Sequence, residues 1–102
     1  MNQLNKNGVK HGPWIEYWVN GVMDYSCEFI NGRKHGLYIG NHPNGNLQSK
    51  IMYDMGHRDG KQETFYENGK LGHSGNFKRG KRFGYHIINN EDGSLFINYF
   101  YL

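Results

Sequence analysis

Glycine recurs in this chain at fixed intervals of 24 residues. Three columns of glycines share this interval: Gly8, Gly32, Gly56 and Gly80; Gly12, Gly36, Gly60 and Gly84; and Gly21, Gly45, Gly69 and Gly93. Because twelve of the fifteen glycines fall in these columns, the chain must repeat one structural unit four times. Glycine at this frequency prevents helices from propagating, so we expect essentially no helix.

Each unit also carries a signal for a β-hairpin. The residues before the third glycine column are Asn20, Asn44, Asn68 and Asp92, and Asn-Gly and Asp-Gly are typical of tight hairpin turns. We therefore predict an all-β fold: a single-layer antiparallel meander of about eight strands, built from four 24-residue β-hairpin repeats joined by Gly-x-x-x-Gly loops. The repeats cover residues 7–30, 31–54, 55–78 and 79–102 and form one domain, which a leader of residues 1–6 precedes.

The turn geometry predicts which side chains share a face of the sheet. A two-residue turn at Asn20-Gly21 would place Trp18 opposite Met23 and Glu16 opposite Tyr25. On this register, one face carries a column of rings, which consists of Phe29, Tyr53, Phe77 and Tyr101. A shift of one residue would turn these side chains to the opposite face.

The composition predicts a thin molecule. Only 36% of the residues are hydrophobic and the mean hydropathy is −0.86, so a thick aliphatic core cannot form, and the 16% of aromatic residues must supply most of the buried area. An open sheet of this size has a face of roughly 750 Å², close to the ~800 Å² that each partner buries in a standard protein interface. We therefore expect the face that bears the rings to be covered by a partner.

Cysteine content and charge indicate the compartment. Cys27 is the only cysteine, so no intramolecular disulfide can form, and a reducing compartment is expected. The sequence has neither an apolar secretion signal nor a run of ~20 apolar residues, so we expect a cytoplasmic protein. The net charge of +3 permits an acidic partner without requiring one.

Catalytic and metal-binding roles are disfavoured by the spacing of the candidate residues. His11 and His35 share a column, but their backbones would lie about 9.5 Å apart, and the column continues with Asp59 and Phe83. Cys27 has no positioned base, and an open meander offers no cleft for paired carboxylates. We expect no enzyme activity, no metal site and no cofactor.

Two stretches carry a family resemblance. Residues 31–38, Asn-Gly-Arg-Lys-His-Gly-Leu-Tyr, and residues 68–71, Asn-Gly-Lys-Leu, followed by Gly-Asn-Phe-Lys-Arg-Gly at 75–80, resemble MORN repeats, most closely the bacterial variant. The resemblance implies an open β-meander that binds proteins, and sometimes lipids, and the bacterial variant is often labelled the antitoxin or immunity half of a toxin pair. Gln62 and His86 depart from the pattern, since an aromatic residue is usual there.

A site for a partner that does not repeat should lie where the repeats differ. Two such columns lie in the first strand of each unit: Trp14, Tyr38, Gln62 and His86, and Trp18, His42, Tyr66 and Asn90. Trp and Tyr are frequent anchors of protein interfaces. We predict partner contacts at Trp14, Trp18, Tyr38, His42 and Tyr66, although local packing is the alternative explanation for these side chains.

Basic residues are also patterned. The middle residue of each Gly-x-x-x-Gly segment is Lys10, Lys34, Arg58 or Arg82, and Arg33 and Lys81 lie beside this column. These six residues are predicted to form a positive rim of loops at one end of the sheet. The rim could recognise an acidic protein surface or a phosphate backbone, or it could simply keep the edge solvated.

Three hypotheses for function follow. The leading one is a non-enzymatic protein that inhibits a partner by covering it, such as an immunity protein, an antitoxin or a virus-encoded inhibitor of a nuclease or defence complex. The second is a binder of nucleic acid or anionic membranes through the basic rim. The third is a self-assembling structural module, because the apolar segment 95–102 is predicted to be an edge strand that could form a homodimer.

Overall fold

The protein consists of one antiparallel sheet in a computed structural model that describes residues 2–102. Its nine strands are β1 (Gln3–Leu4), β2 (Lys10–Tyr17), β3 (Met23–Ile30), β4 (Arg33–Asn41), β5 (Leu47–Asp54), β6 (His57–Phe65), β7 (Leu71–Lys78), β8 (Lys81–Asn89) and β9 (Leu95–Tyr101). Each strand pairs with the next one along the chain, in the order β1 to β9. The predicted meander is therefore confirmed, with the short strand β1 added at the start of the sheet.

The sheet is open and one layer thick. Its principal extents are 46 × 36 × 13 Å, and its radius of gyration of 15.1 Å exceeds the ~13 Å expected of a compact domain of this length. Among residues 2–102 there is no helix, and thus none with the length and hydropathy that a membrane crossing needs. The fold therefore has two broad faces.

Type I′ turns join the repeats to one another. Asn31 and Gly32 have φ values of 48° and 84°, and Ile30 pairs directly with Arg33 on either side of them. Met55-Gly56 and Arg79-Gly80 repeat this geometry. Two successive positive φ values define the type I′ turn, whose twist matches that of the flanking strands. The predicted Gly-x-x-x-Gly loops are wrong, because residues 33–36 already belong to strand β4.

The Asn-Gly positions form three-residue loops. Trp18 N–H donates to Val22 O at 2.7 Å, Gly21 N–H donates to Trp18 O at 2.9 Å, and Gly21 has a φ of 89°. This pattern is a type I turn followed by a glycine bulge. The extra residue shifts the register, so Tyr17 rather than Trp18 lies opposite Met23. The predicted pairing of Trp18 with Met23 is therefore wrong, whereas that of Glu16 with Tyr25 is confirmed.

The second glycine column lies in bulges near the start of strands. In β4, His35 pairs with Glu28 and Ile39 pairs with Ser26, so the segment 36–38 lies opposite the single residue Cys27. Gly36, at a φ of 82°, begins this bulge. The twelve glycines of the three columns are also the twelve glycines with positive φ in residues 2–102. The 24-residue glycine pattern therefore marks positions at which the backbone adopts a positive φ.

The core lies on the face that bears the rings. Its most buried apolar side chains are Trp14, Cys27, Phe29, Ile51 and Phe77, each at most 9% exposed. The opposite face leaves large apolar side chains exposed, including Ile15, Tyr17, Leu37, Met52 and Tyr85. The ring-bearing face thus provides most of the buried apolar surface of this thin sheet.

Repeated hydrogen bonds hold each repeat against the next at both ends of the strands. Backbone N–H groups of Gly32, Gly56 and Gly80 donate to the carbonyls of Lys10, Lys34 and Arg58 at 2.7, 2.7 and 2.8 Å. At the other end, the side-chain amides of Asn20, Asn44 and Asn68 donate to the carbonyls of Pro43, Glu67 and Glu91. The same contacts at successive junctions give the repeats a constant spacing.

Candidate binding groove

A groove runs across the ring-bearing face, beside the type I′ turns. Its floor consists of Phe29, Tyr53, Phe77 and Tyr101, the column of rings that the sequence predicts on one face. The remaining lining residues are three turn glycines and six basic or histidine side chains: Gly32, Gly56, Gly80, Arg33, Lys34, His57, Arg58, Lys81 and Arg82. The groove has a volume of about 980 Å³, at the upper end of ligand sites, and it is open to solvent.

Each ring of the floor lies beneath a cation. The Lys34 ammonium lies 4.8 Å from the ring centre of Tyr38 and 5.1 Å from that of Tyr53. The Arg58 guanidinium lies 5.1 Å from the ring centre of Phe77, and that of Arg82 lies 5.8 Å from the ring of Tyr101. These distances fall within the range of cation–π attraction. The rings therefore orient the charged groups over the floor of the groove.

Lys10 extends this row of cations to the first repeat. Its ammonium lies 5.0 Å from the Trp14 ring centre and 5.1 Å from that of Phe29, and it donates to Tyr25 Oη at 3.3 Å. The four cations of the row, which we call the cation row, are Lys10, Lys34, Arg58 and Arg82. They lie on strands against the rings rather than in loops, so the predicted rim is displaced onto the ring-bearing face.

The groove has a single sign of charge. Within the described part of the chain, none of its lining residues carries a carboxylate. The Arg33 stem lies across Gly56, where an added Cβ would be 3.6 Å from Arg33 Cβ, and His57 Nδ1 lies near Gly80 in the same way. Arg33 and Lys81 therefore add positive charge along the turn-side wall. A concave surface lined by cations concentrates anionic ligands.

A chain of polar side chains lies beside the groove, on the same face, in the third and fourth repeats. Gln62 Nε2 lies 3.3 Å from His73 Nδ1, His73 Nε2 lies 3.1 Å from His86 Nδ1, and His86 Nε2 lies 2.8 Å from Asn76 O. Because a carbonyl only accepts, His86 Nε2 must carry a proton and donate to Asn76. His73 Nε2 then donates to His86 Nδ1, and Gln62 Nε2 donates to His73 Nδ1.

Burial makes this polar chain sensitive to protonation. His86 is 1% exposed, and Gln62 Oε1 is buried with no hydrogen-bond partner among residues 2–102. Desolvation lowers the pKa of His73, and the nearby His86, Arg82 and Arg58 lower it further. A neutral His73 at pH 7 agrees with the direction of the hydrogen bonds. The chain borders a second cavity of about 470 Å³, which Arg58 and Arg82 also line.

In the first two repeats, Trp14 and Tyr38 occupy the position that Gln62 and His86 occupy in the third and fourth. Trp14 is 8% exposed, packs edge-on against Phe29 with 5.8 Å between ring centres, and donates from Nε1 to Glu16 Oε2 at 2.7 Å. Tyr38 stacks on Tyr25 at 5.4 Å, and its burial raises the pKa of its hydroxyl. Both predicted site residues therefore lie in the packed layer on the ring-bearing face, and their contact with a partner stays a prediction.

The other predicted column makes contacts between repeats. Trp18 Nε1 donates to Asn41 O at 3.0 Å, His42 Nε2 to Phe65 O at 2.7 Å and Tyr66 Oη to Asn89 O at 2.6 Å. Three different side chains thus donate to the same backbone position of the following repeat. They lie at the Asn-Gly end of the strands, opposite the groove, and the structure does not bring them together with the cation row. Their binding role stays a prediction.

The column that begins with His11 supports the turns. Nδ1 of His11 accepts from Asn31 N–H and Nδ1 of His35 accepts from Met55 N–H, both at 3.2 Å. Asp59 Oδ1 accepts from the equivalent N–H, that of Arg79, at 3.2 Å. Among residues 2–102, no group of three or more His, Cys, Asp or Glu side chains could hold a metal ion.

Sequence reasoning missed two features of the groove. The sequence predicts that a partner covers the ring-bearing face but places the contacts at the variable columns, yet the regular rings of Tyr53 and Tyr101 are only half-buried and line the floor. His57 and the contact between His73 and His86 were also missed. The period itself could have indicated the first feature, because the basic column and the ring column recur with the same interval on paired strands.

Comparison with known families agrees with this repeat structure. The family described as the MORN repeat variant matches residues 34–55 and residues 58–79. No curated protein matches the chain. Each matched segment begins at a residue of the cation row, Lys34 or Arg58, and ends at a type I′ turn. The resemblance is thereby confirmed for residues 34–79, which the MORN repeat variant matches twice.

Proposed function

We propose that this protein is a non-enzymatic module that binds another protein in its basic, ring-floored groove. The observation that carries the proposal is the row of cations held over aromatic rings, in a groove whose lining residues within 2–102 include no carboxylate. Desolvated aromatic and Arg side chains are common anchors of protein interfaces. The match to the MORN repeat variant supports it, since MORN repeats commonly bind proteins or membranes.

The proposed consequence of binding is inhibition of the partner. The sheet measures 46 × 36 Å across, so one face offers more surface than the ~800 Å² that each partner buries in a standard interface. A small protein that covers this much surface blocks access to it, as an immunity protein or antitoxin does. The resemblance to bacterial MORN repeats supports this role, and a toxin, nuclease or defence complex is the proposed partner.

A paired set of variants tests the binding proposal. Lys34→Gln with Arg58→Gln removes two charges from the groove, whereas Lys6→Gln with Lys61→Gln removes two exposed charges outside it. Each tagged protein is purified under gentle lysis from its own host, and captured proteins are identified and quantified. We expect one partner to accompany the wild type and the Lys6/Lys61 variant at equal yield and to be lost from the groove variant.

The controls separate loss of binding from loss of folding. Both variants must melt within a few degrees of the wild type, since surface substitutions usually change stability by less than about 0.5 kcal/mol. Recovery of the bare protein from wild-type lysate would contradict the proposal. Equal capture by the groove variant would also contradict it. Inhibition is tested separately by adding the purified protein to its captured partner and measuring the partner's activity.

Nucleic acid or an anionic membrane is the second candidate partner. The same groove favours it, because a phosphate backbone or headgroup would meet only positive charge there. Retention on heparin that persists above ~150 mM salt, and that the Lys34/Arg58 variant loses, would support this function. Elution below that salt concentration would exclude it.

Self-association through β9 is the third candidate. Its exposed apolar side chains include Leu95, Phe96 and Phe100, and within residues 2–102 it pairs only with β8. Exposed strand edges pair readily with other strands. Light scattering at increasing concentration should then show a dimer, and Asn98→Pro should abolish it by removing a donor from the free edge, since Asn98 faces Ile87 in a pair that is not hydrogen-bonded. A monomer at every concentration would exclude this candidate.

A further inference from the structure

The cations of the cation row, of which Lys34, Arg58 and Arg82 line the groove, recur with a fixed spacing. Lys10, Lys34, Arg58 and Arg82 are 24 residues apart, and the hydrogen bonds from the turn glycines to the first three of them are the same within 0.1 Å. Equivalent residues in an antiparallel meander lie two strands apart, which corresponds to about 9.6 Å. The cation row therefore spans roughly 29 Å in three equal steps.

This spacing discriminates among the regular conformations of a bound chain. A polyproline II helix rises 3.1 Å per residue, so every third residue returns to the same side after about 9.3 Å. Side chains on one face of a β-strand recur at about 6.7 Å, and two turns of α-helix advance about 10.8 Å. Over three steps the polyproline II spacing departs from the row by about 1 Å, and the α-helix by about 4 Å.

The surface chemistry of the groove fits the same conformation. Polyproline II segments leave their backbone solvated and dock in grooves lined by aromatic rings. The floor provides one ring per step, and the half-buried rings of Tyr53 and Tyr101 present surface to the groove. Each step also places a cation above or beside its ring. A carboxylate at every third position of the bound chain would meet one cation at each step.

We propose that the groove binds an acidic polyproline II segment whose carboxylates recur at every third residue. The inference rests on the proposed function, because the segment belongs to the partner protein. Its carboxylates pair with Lys10, Lys34, Arg58 and Arg82. Its intervening residues pack on the half-buried rings of Tyr53 and Tyr101. Specificity comes from spacing as well as charge, since an acidic chain with another period engages only one or two cations at a time.

Synthetic peptides test the spacing directly. Fluorescently labelled (Glu-Pro-Pro)₄ has the matching period, and (Glu-Pro-Pro-Pro)₄ carries the same four charges at about 12.4 Å intervals. Anisotropy titrations with the wild-type protein should give (Glu-Pro-Pro)₄ an affinity at least about tenfold higher, because successive carboxylates of the control fall out of register. The peptide (Lys-Pro-Pro)₄ should not bind.

Variants of the protein locate the peptide. Arg58→Gln with Arg82→Gln should weaken (Glu-Pro-Pro)₄ by about tenfold or more, because two of four charge pairs are lost. Lys6→Gln with Lys61→Gln changes the net charge equally outside the groove and should leave the affinity within twofold. Equal weakening by both pairs would show that net charge alone attracts the peptide and would overturn the inference.

The outcomes separate this inference from the function beneath it. Equal affinity for the two Glu-Pro peptides, or no binding of either, overturns the spacing claim. Tighter binding of pentathymidylate, which also carries four anionic groups, would overturn the spacing claim as well and would indicate nucleic acid as the ligand. If the groove variant still loses its captured partner while the peptides show no preference, the protein-binding function stands and the acidic polyproline II ligand does not.

Discussion

The two halves of the ring-bearing face fill the same backbone positions with opposite chemistry. In the first half, Trp14 and Tyr38 occupy one column, and Lys10 and Lys34 each contact two rings. In the second half, the equivalent side chains are polar and the cations are arginines. The second-half residues are Gln62, His86, Arg58 and Arg82. Arg58 and Arg82 each contact a single ring, because the residue four positions after each of them is no longer Trp or Tyr.

This difference shows that the backbone pattern determines the fold, whereas the side chains on the ring-bearing face can vary. The register of β6 with β7 follows that of β4 with β5, although one layer is aromatic and the other is polar. The second half accommodates His86 through Gly75, which lies where the earlier repeats have Cys27 and Ile51. The same fold thus presents a rigid aromatic surface at one end and a titratable one at the other.

Filling the space at Gly75 with a side chain should destabilise the second half of the sheet. An added Cβ would lie 2.1 Å from His86 Nδ1, so Gly75→Ala must displace the buried imidazole and its hydrogen bonds to His73 and Asn76. Overpacking and two lost hydrogen bonds predict a destabilisation of about 3 kcal/mol. Denaturant titration followed by circular dichroism measures it.

A glycine of the same strand provides the control. At Gly72 the nearest atom to an added Cβ is 3.3 Å away, on the ring of Tyr66, so Gly72→Ala should cost less than about 1 kcal/mol. Combining Gly75→Ala with His86→Ala should recover part of the loss, because the smaller side chain vacates the contact. Equal midpoints for wild type and Gly75→Ala would show that His86 does not occupy this space.

The turns could be predicted from the sequence to different extents. Positive φ restricts a position largely to glycine, so the three columns marked the bends of every repeat. Which bend was the tight hairpin could not be told, because Asn20-Gly21 and Asn31-Gly32 are the same dipeptide. The first forms a bulged loop and the second a type I′ turn. That ambiguity misplaced the basic residues in loops.

The candidate site depends on contacts that no local pattern encodes. Gln62, His73 and His86 are 11 and 13 positions apart, and the bulge that begins at Gly84 helps to decide which residues of β8 lie opposite β7. The spacing of the six histidines disfavours a metal site, but it does not reveal that four of them act within hydrogen-bonded pairs and turns. Spacing alone could not predict such roles, because they follow from strand register.

Replacing Tyr38 or Gln62, which occupy equivalent positions, with leucine should change the stability by different amounts in the two halves. Tyr38→Leu removes the stacking with Tyr25 and the edge contact with Tyr53, so it should cost about 2 kcal/mol. Gln62→Leu loses one hydrogen bond to His73 but also removes the buried, unpaired Oε1. It should therefore stay within about 1 kcal/mol of the wild type. Equal losses in denaturant titrations would show that both halves depend alike on this column.

The smallest expected effect is a dependence of stability on pH that belongs to the second half. The folded protein lowers the pKa of His73, chiefly by desolvation, so the unfolded chain binds the proton more readily. Stability is therefore fully present above the unfolded value of about 6.5 and is lost as the pH falls from there toward the lower folded pKa.

Melting temperatures at pH 7.5, 6.5 and 5.5 test this linkage. The wild type should melt progressively lower, and His73→Gln should flatten part of that decline, because glutamine can keep a hydrogen bond without titrating. His57→Gln is the matched control, since His57 is exposed and lies outside the polar chain, and it should follow the wild-type curve. If His73→Gln declines as steeply as His57→Gln, the acid sensitivity has another source, and the second half is no more titratable than the first.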